Sequence, residues 1–399
     1  MGVPKGAGKL FPLMPEHHKK HPGIEPRPHT ETVPVRFEAE VPELPAGTRV
    51  WLTGSGSSLG AWKAAGVRME HLAGSLWVKE VRLRKNALIF YKATLGSWER
   101  VEKTTGGGEV ADREVIARGP MTIRFKVEQW ADGTHHEPLS TRDAHVLDLG
   151  NFGRELTGFN HKVLVHVPPG YDENGDAHYP VLYMLDGQNI FDCATAFLGQ
   201  AWDADKVHDE LVRDKKVRPF FIVAIYHVNN RDRFYTPVKD PRFGGGDLDL
   251  LASTIFQDIE PVLRERFRIE EGPQFTAVCG SSLGGLAAFH LGWRYPDRFG
   301  IVGALSPSLW WASNHTVALV RQDKSLPKPN RYWLDMGTHE SEMLLAPVRE
   351  VMELADLLAE KGYNVALEID ENGRHNEAAW KKRLPLVFQW MFGDKPGRK

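Results

Sequence analysis

The chain has 399 residues and a formal net charge of −2, from 50 Lys and Arg against 52 Asp and Glu. That length is typical of two or three domains. The balanced charge provides no basic field to hold a nucleic-acid backbone, and no segment approaches the roughly 20 apolar residues of a membrane helix. Two cysteines exclude a disulfide-stapled scaffold and a cysteine zinc site. We therefore expect neither nucleic acid nor a membrane among the partners.

Residues 1–30 are rich in Pro, Lys and His and show no hydrophobic period, which predicts a flexible arm. This arm contains no apolar run long enough for a signal peptide, which favours a cytoplasmic protein, although removal of a leader would leave secretion open. The histidine pairs at 17–18 and 135–136 have no partner ligands at a useful spacing. We therefore expect loop histidines there and no metal site.

Residues 31–131 contain short segments in which apolar and polar side chains alternate, separated by Gly, Pro and Ser. The predicted strands are VPVRFEAEV, TRVWLTGS, SLWVKEVRL, ALIFYKATL and MTIRFKVEQW. No helical period interrupts them, so the pattern predicts an antiparallel β-sandwich. The polar residues 132–145 are predicted to form a linker.

Residues 146–399 follow a different pattern, in which strands alternate with helices. The predicted strands are HKVLVHVPPGY, YPVLYMLDG, FFIVAIYHV, FTAVCGSS, FGIVGALSP, RYWLDMG and NVALEID. The predicted helices are AWDADKVHDELVRDKK, LASTIFQDIEPVLRERF, LGGLAAFHLGWRYP and APVREVMELADLLAEKG. This alternation predicts an α/β domain with a parallel sheet covered on both faces.

The segment Gly280-Ser281-Ser282-Leu283-Gly284 fits the pattern G-x-S-x-G and lies between a predicted strand and a predicted helix. That context is typical of a nucleophile elbow, in which a sharp turn presents the central serine above the sheet. Ser282 is therefore the predicted nucleophile. The N–H of Leu283, at the start of the helix, is predicted to face the developing oxyanion.

A serine hydroxyl needs a base, and α/β-hydrolases carry their triad in the order serine, acid, histidine. The histidines after Ser282 are His290, His315, His339 and His375. His290 falls inside the helix that follows the nucleophile, where we expect it to face packing or solvent. His375 lies in a glycine-containing loop after the last predicted strand, so it is the predicted base.

The acid should follow the predicted strand RYWLDMG, where Asp335, Glu340 and Glu342 are the candidates. Asp335 lies within the strand, whereas Glu340 lies in the loop, from which a carboxylate can reach His375. We prefer Glu340, and the other two remain open. The second oxyanion donor should come from the loop after YPVLYMLDG, where we choose the N–H of Gln188; a simple β-turn is the alternative.

From about residue 146 onward the chain resembles the esterase family of α/β-hydrolases that includes enterochelin-type siderophore esterases, carbohydrate esterase family one and esterase D-like proteins. The resemblance rests on VHVPPGYDENGDAHYPVLYMLDGQNIFD, AWDAD, RDRFYTPV, CGSSLGGLAAFH, LSPSLWW, LDMGTHESE and GRHNEAAW, in this order. It implies an α/β-hydrolase fold over 146–399 and a triad of Ser282, Glu340 and His375. Family members often carry Asp at the acid position, so Glu340 departs from that pattern.

The first domain is similar to starch-binding carbohydrate modules in TGSGSSLGAWKAAGVRMEH and FYKATLGSWERVEK. In those modules exposed tryptophans and a lysine form a glucan platform. The resemblance carries these roles to Trp62, Lys92 and Trp98. The alternative is that the rings pack inside the sandwich, or that the module only supports the catalytic domain.

Two further features carry smaller expectations. Trp310 of LSPSLWW is predicted to line the substrate cleft, with core packing of both Trp310 and Trp311 as the alternative. Cys279 precedes the elbow and is predicted to be a buried apolar residue. Whether it pairs with Cys193 stays open at this point.

Together these features predict a serine esterase that acts through an acyl-enzyme, without metal or organic cofactor, on acyl or feruloyl esters of carbohydrates. A siderophore-lactone esterase is the first alternative. A non-catalytic carbohydrate-binding protein with an inactive hydrolase domain is the second, and the intact order of serine, acid and histidine argues against it.

Overall fold

The computed structural model describes residues 31–393 except 106, 109, 111, 132–138, 174 and 341–344. The chain divides into two compact units, Met1–His136 and Glu137–Lys399, with the boundary inside the predicted linker. The predicted arm and both histidine pairs lie outside the described residues. Ser140 Oγ and the N–H of Thr141 donate to Asp192 at 2.6 and 2.9 Å, so the end of the predicted linker is bound to the second unit.

The first unit is made of short strands, as the alternating pattern predicts. They are β1 Thr32–Glu40, β2 Trp51–Gly54, β3 Val67–Arg68, β4 Glu70–Ala73, β5 Leu76–Arg84, β6 Leu88–Thr94, β7 Glu102–Lys103, β8 Arg113–Ile116, β9 Met121–Lys126 and β10 Gln129–Trp130. They form two four-stranded sheets, β4–β5–β1–β9 and β3–β2–β6–β8, and β7 pairs with β10. Contrary to the antiparallel prediction, β1 and β9 pair in parallel.

The core of the first unit follows from the period of its strands. Along β1 every second side chain is buried, namely Val33, Val35, Phe37 and Ala39. A period of two places these residues on one face of the sheet, where they join the apolar side chains of the neighbouring strands.

The second unit contains an eight-stranded sheet. Its strands are β11 Val146–Phe152, β12 His161–His166, β13 Val181–Leu185, β14 Phe221–Ile225, β15 Thr276–Ser281, β16 Ile301–Leu305, β17 Arg331–His339 and β18 Asn364–Arg374. Their order is β11–β12–β14–β13–β15–β16–β17–β18. The strands from β14 to β18 pair in parallel, as predicted, whereas β11 and β12 are antiparallel, so the sheet is mixed.

Helices connect the strands of this unit, and apolar clusters cover both faces of the sheet. The helices are α1 Arg154–Thr157, α2 Ala204–Arg213, α3 Arg231–Phe234, α4 Leu248–Thr254, α5 Glu260–Arg266, α6 Leu283–Arg294, α7 Trp311–Gln322, α8 Ala346–Glu360 and α9 Glu377–Phe392. None of the helices in the described residues combines the length and apolar character needed to cross a bilayer.

One predicted helix, residues 251–267, contains a π-helical segment. Ile255–Ile259 is π-helical and lies between α4 and α5, and Thr254, Ile255 and Glu260 all keep right-handed helical dihedral angles. Pro261 lies in the first turn of α5, and proline has no N–H to donate to a carbonyl one turn earlier. The predicted helix is therefore present, and the sequence did not indicate the π-helical segment inside it.

The parallel strands place the predicted catalytic residues at one edge of the sheet. Ser282 directly follows β15, Glu340 follows β17 and His375 follows β18. Because the carboxyl ends of parallel strands lie at the same edge, loops from three separate parts of the chain meet there.

Candidate active site

Ser282 lies in a strained turn between β15 and α6. It has φ 58° and ψ −123°, a conformation that a non-glycine residue keeps only when its surroundings hold it. Its N–H donates to the carbonyl of Leu305 at 3.0 Å, and its own carbonyl accepts the N–H of Ser308 at 3.0 Å. These bonds fix the turn to the end of β16.

The two glycines of G-x-S-x-G are required by close contacts. A Cβ at Gly280 would lie 2.5 Å from the carbonyl oxygen of Gly284, and a Cβ at Gly284 would lie 2.8 Å from Oδ2 of Asp186. A side chain at Gly280 would therefore force the strand and the helix apart, and a side chain at Gly284 would displace the Asp186 carboxylate. The predicted elbow geometry is thus present at Ser282.

A second hydroxyl lies beside the predicted nucleophile. Ser308 Oγ is 3.3 Å from Ser282 Oγ, and the Ser308 residue is buried. Either hydroxyl can donate in this pair. The sequence contained Ser308 in LSPSLWW but gave no reason to place it next to Ser282.

Glu340 and His375 are in direct contact. Glu340 Oε2 lies 2.8 Å from His375 Nδ1, a separation at which a carboxylate accepts the Nδ1 proton and leaves Nε2 able to accept another. Glu340 Oε1 accepts bonds from Ser306 Oγ and from the N–H of Gly337, both at 2.6 Å. The guanidinium of Arg383 lies 3.5 Å from the same oxygen. The acid is therefore held on both of its oxygens.

The other candidate acids are placed differently. The carboxylate of Asp335 accepts the N–H of Ser306 at 3.0 Å and Nε1 of Trp333 at 2.9 Å, and it pairs with Arg383 at 3.3 Å. These donors hold Asp335 inside the sheet, in which it is fully buried. Glu342 lies outside the described residues. Among the described candidates, Glu340 is the one whose contact with His375 is seen.

Burial dominates the electrostatics of both acids. It raises the pKa of Glu340 to about 7, although the nearby Arg383 guanidinium opposes that shift. Burial also raises the pKa of Asp335 to about 6, again opposed by Arg383. Glu340 is therefore protonated at acidic pH and ionises as the pH rises through about 7.

The two predicted oxyanion donors lie on loops at the same edge of the sheet. Gln188 is the middle residue of a 3-10 turn, Gly187–Asn189, directly after β13. A Cβ at Gly187 would lie 2.6 Å from the carbonyl carbon of Ile225, so this turn packs against the end of β14. Leu283 is the first residue of α6, where an N–H has no partner within the helix. Their roles as donors stay predictions.

Comparison with known proteins identifies the family. The family model described as "Putative esterase" matches residues 155–391, more than half of the chain. The chain belongs to this esterase family. A second model, described as "Starch binding domain", matches residues 32–105 of the esterase. The predicted fold, an α/β-hydrolase domain preceded by a β-rich starch-binding domain, is confirmed.

Three similar proteins illustrate the relationship. The esterase is 24% identical over 248 residues to the uncharacterized protein YbbA of Bacillus subtilis, covering 59% of this chain and 93% of that one. It is 22% identical over 245 residues to an endo-1,4-beta-xylanase/feruloyl esterase of Xylanibacter ruminicola, covering 60% and 30%. The crystal structure of the enterobactin esterase FES from Shigella flexneri matches with a TM-score of 0.56 and 16% identity, covering 93% and 96%.

Two of the three residues predicted to form the sugar platform of the esterase are buried. Trp62 is 1% exposed and Lys92 is 4% exposed, so the prediction that both are exposed is wrong. The N–H of Trp62 donates to the carbonyl of Gly54, at the end of β2, at 2.9 Å. The ammonium of Lys92 pairs with the carboxylate of Asp112 at 3.3 Å. Trp98 is half-buried, and its ring centroid lies 6.3 Å from that of Trp62.

The remaining predicted residues are placed as follows. Trp310 is half-buried and contacts the ring of Phe243, whereas Trp311 is buried and donates Nε1 to the carbonyl of Val238 at 2.8 Å. A role for Trp310 in the substrate cleft stays a prediction. His290 is buried, as expected, and contacts Thr316.

Both cysteines of the esterase are free thiols. Cys279 is fully buried, which confirms the prediction of a buried apolar residue, and burial raises the pKa of its thiol far above the ordinary range. The open question of pairing with Cys193 is therefore answered: the structure contains no bond between these two described residues.

A cluster of His166, His208 and Asp209 has ligand atoms close enough together to suit a metal ion. However, the N–H of Phe220 donates to Nε2 of His208 at 3.2 Å, so the remaining proton of a neutral ring is on Nδ1. Burial lowers the pKa of His208 to about 4, which keeps that ring neutral. Nδ1 then donates to Asp209, and it offers no lone pair to a metal. The cluster is explained as a hydrogen-bonded one.

Sequence reasoning missed the residues that hold the loops of the site in place. Arg383 and Trp380 of α9 donate to Ser306 Oγ at 2.8 and 2.9 Å, and Ser306 in turn donates to Glu340. Nothing in the pattern of α9 distinguishes these side chains from ordinary core residues. Arg231, which donates to Asp186 just before the turn of Gln188, could have been found from the sequence. It lies in RDRFYTPV, one of the motifs on which the family resemblance rests.

Glu377, two residues after the predicted base, is a buried acid whose titration should destabilise the esterase. Burial, together with the charge of Asp186, raises the pKa of Glu377 to about 7 from an ordinary value of 4.5. A raised folded-state pKa stabilises the fold below about pH 4.5, and that contribution is lost as the pH rises through about 7. We expect Glu377→Gln to increase the free energy of unfolding by up to about 3 kcal/mol at pH 8 and by little at pH 4.5.

Thermal unfolding at these two pH values measures the effect. Glu265→Gln, which changes an exposed glutamate of α5, is the matched control and should change little at either pH. An equal change in melting temperature for Glu377→Gln at pH 4.5 and pH 8 would contradict the prediction.

Proposed function

We propose that the esterase hydrolyses carboxylic esters through an acyl-enzyme formed on Ser282. The observation that carries the proposal is the 2.8 Å contact between Glu340 and His375, at the sheet edge that also carries the strained turn of Ser282. A serine in such a turn, a histidine and a buried carboxylate are the parts that acyl transfer requires.

The first half-reaction transfers the acyl group to the protein. Ser282 Oγ attacks the ester carbonyl while His375 Nε2 takes its proton, and Glu340 stabilises the imidazolium that forms. The N–H groups of Leu283 and Gln188 bind the negative oxygen of the tetrahedral intermediate. Collapse of the intermediate breaks the bond to the alcohol, which leaves with the proton from His375.

The second half-reaction releases the acid. Water attacks the acyl group on Ser282 as His375 takes a proton from it, and the new tetrahedral intermediate is stabilised by the same two N–H groups. When it collapses, the proton returns to Ser282 Oγ and the carboxylic acid leaves. These steps use only the chain, the ester and water, so the mechanism invokes no metal or organic cofactor.

For the substrate, we propose acyl or feruloyl esters of carbohydrates. The support is twofold: residues 32–105 match a starch-binding domain, and one relative is named a feruloyl esterase. Aromatic rings stack on the apolar faces of sugars, and Trp98 is the partly accessible ring of the predicted platform. In this proposal the first unit binds the saccharide.

A siderophore lactone is the second candidate substrate. The observation that favours it is the fold of an enterobactin esterase, which matches 93% of this chain and therefore includes both units. The match to the feruloyl esterase covers 60% of the chain and carries the first candidate.

A panel of feruloyl sugar, acetyl sugar and siderophore esters, compared by kcat/KM, tests the proposal. We expect kcat/KM for the sugar esters to exceed kcat/KM for the siderophore ester by at least about 100-fold. A site whose polar groups hydrogen-bond a sugar leaves those groups unpaired when a different class of ester is bound. We also expect the protein to be retarded on a native gel that contains starch or glycogen. A higher kcat/KM for the siderophore ester, without retardation, would favour the second candidate.

A further inference from the structure

Arg231 binds the residue that precedes the predicted oxyanion turn. Its Nε and Nη2 donate to Oδ1 and Oδ2 of Asp186 at 2.7 and 2.6 Å, in a bidentate pair. The two side chains are only 9% and 4% exposed. A planar guanidinium fork fixes the orientation of a carboxylate as well as its distance. Because Asp186 directly precedes Gly187 and Gln188, this pair restrains the start of the turn that carries the Gln188 N–H.

The backbone of Asp186 needs that restraint. It has φ 58° and ψ 46°, in the left-handed region, which aspartate adopts only when other contacts support it. Its N–H donates to the hydroxyl of Tyr235 at 2.9 Å, and the guanidinium of Arg231 lies 5.1 Å from the centre of the Tyr235 ring. One short segment, residues 231–235, therefore holds Asp186 through both its side chain and its backbone.

The same contacts reach the loop of the other predicted donor. Arg231 Nη2 donates to the carbonyl of Ser281 at 3.4 Å. The Asp186 carboxylate lies so close to Gly284 that a Cβ there would be 2.8 Å from Oδ2. Ser281 and Gly284 flank Ser282 and Leu283, so Arg231 is connected to both sides of the predicted oxyanion hole.

Charge gives Arg231 a second effect. Without the arginine, the buried Asp186 carboxylate would present an unpaired negative charge beside the first turn of α6. The oxyanion of the tetrahedral intermediate forms near that turn, and like charges repel strongly where water is excluded. The guanidinium neutralises the carboxylate, so the contact that holds the turn also removes this repulsion.

We propose that Arg231 is a positioning residue that, through Asp186, holds the N–H groups of Gln188 and Leu283 in the geometry that binds the oxyanion. The proposal rests on the proposed function, since it requires acyl transfer at Ser282. A residue that acts on the oxyanion stabilises the transition state more than the bound substrate. Its loss should therefore lower kcat and leave KM nearly unchanged.

The test is kinetic and uses the full chain with p-nitrophenyl acetate. We expect Arg231→Met to lower kcat about 100-fold, the lower end of the range for loss of one oxyanion donor, with KM within about threefold. Arg231→Lys keeps the charge but not the bidentate fork, and we expect about a tenfold loss. Affinity for a trifluoromethyl ketone, which forms a tetrahedral adduct with the serine, should fall by the same factor as kcat in each variant.

Two further variants separate positioning from folding. Arg231→Met leaves Asp186 charged and unpaired, so the double variant Asp186→Asn/Arg231→Met removes both charges; it should fold and still show the loss of kcat. Arg264→Met is the matched control, because Arg264 also donates through Nε and Nη2 to one carboxylate, that of Glu260 in α5. Its kinetic constants should equal those of the wild type.

The outcomes are distinct. A folded double variant with wild-type kcat and ketone affinity would overturn the proposal, and so would a rise in KM at constant kcat, which indicates that Arg231 binds substrate. Ser282→Ala is measured in the same assay. If Ser282→Ala is inactive while the Arg231 variants are fully active, only the positioning role fails. Wild-type turnover by Ser282→Ala would overturn both the proposed function and this inference.

Discussion

Ser282→Ala should lower kcat for p-nitrophenyl acetate by about 10⁶-fold, the scale of loss when the nucleophile of a serine hydrolase is removed. Without Oγ, no covalent intermediate forms at the turn, and His375 has no hydroxyl to activate. The substitution removes one atom and adds no bulk in the strained turn. We therefore expect the melting temperature to stay at the wild-type value, which thermal unfolding checks.

The hydroxyl of Ser308 supplies the matched control, because it lies 3.3 Å from that of Ser282. A fluorophosphonate should label Ser282 in the wild type and in Ser308→Ala, and should leave Ser282→Ala unlabelled. Peptide mapping identifies the labelled residue. Labelling of a different serine, or turnover by Ser282→Ala within about tenfold of the wild type, would show that the nucleophile lies elsewhere.

The elbow was predictable because its determinants are local. Gly280 and Gly284 lie within two residues of Ser282, and a Cβ at Gly280 would lie only 2.5 Å from the backbone carbonyl oxygen of Gly284. The strand before and the helix after the turn are visible as an apolar run and a helical segment. A short window of sequence therefore contains nearly all the information that this turn needs.

The acid could not be chosen from sequence alone because its determinants are remote. Asp335 and Glu340 lie only five residues apart, and Arg383 lies near both carboxylates, so what separates them is the contact between Glu340 and His375. His375 lies 35 residues after Glu340 in the chain. No local pattern shows which carboxylate that histidine will meet.

The sugar platform shows a different limit. The motifs identified the residue types at Trp62, Lys92 and Trp98, and the structure does bring the two rings together. A motif does not show how much of a side chain solvent can reach. The exposure of Trp62 and Lys92 depends on how their turn and strand pack, which is why the prediction of exposure was wrong.

Glu340→Gln should lower kcat by about 10⁴-fold, the loss seen when an uncharged amide replaces the acid of such a triad. The amide keeps the volume of the side chain but no longer stabilises protonated His375, and it allows the wrong tautomer of the ring.

The same substitution should not destabilise the fold at pH 8. Burial raises the pKa of Glu340 to about 7, so the negative charge of Glu340 costs stability at pH 8. We therefore expect no decrease in melting temperature at that pH, and the loss of kcat cannot then be attributed to unfolding.

Asp335→Asn is the control that separates the two acids. It leaves the contact between Glu340 and His375 in place, so we expect kcat of the folded protein to stay within about tenfold of the wild type. Glu342→Gln should also have a milder effect than Glu340→Gln. If either control lowers kcat more than Glu340→Gln does, the acid has been assigned to the wrong carboxylate, although the roles proposed for Ser282 and His375 would stand.

The pH dependence of kcat/KM distinguishes the loss of an ionising group at Glu340 from a loss of packing. Wild-type kcat/KM should rise with pH through about 7, because the mechanism needs ionised Glu340 and neutral His375, and the pKa of Glu340 is raised to about 7. Glu340→Gln removes one of these two groups, so the acid limb of its profile should report His375 alone and become less steep. A profile of Glu340→Gln that keeps the shape of the wild-type curve would mean that Glu340 does not titrate in the reaction, even if kcat is low.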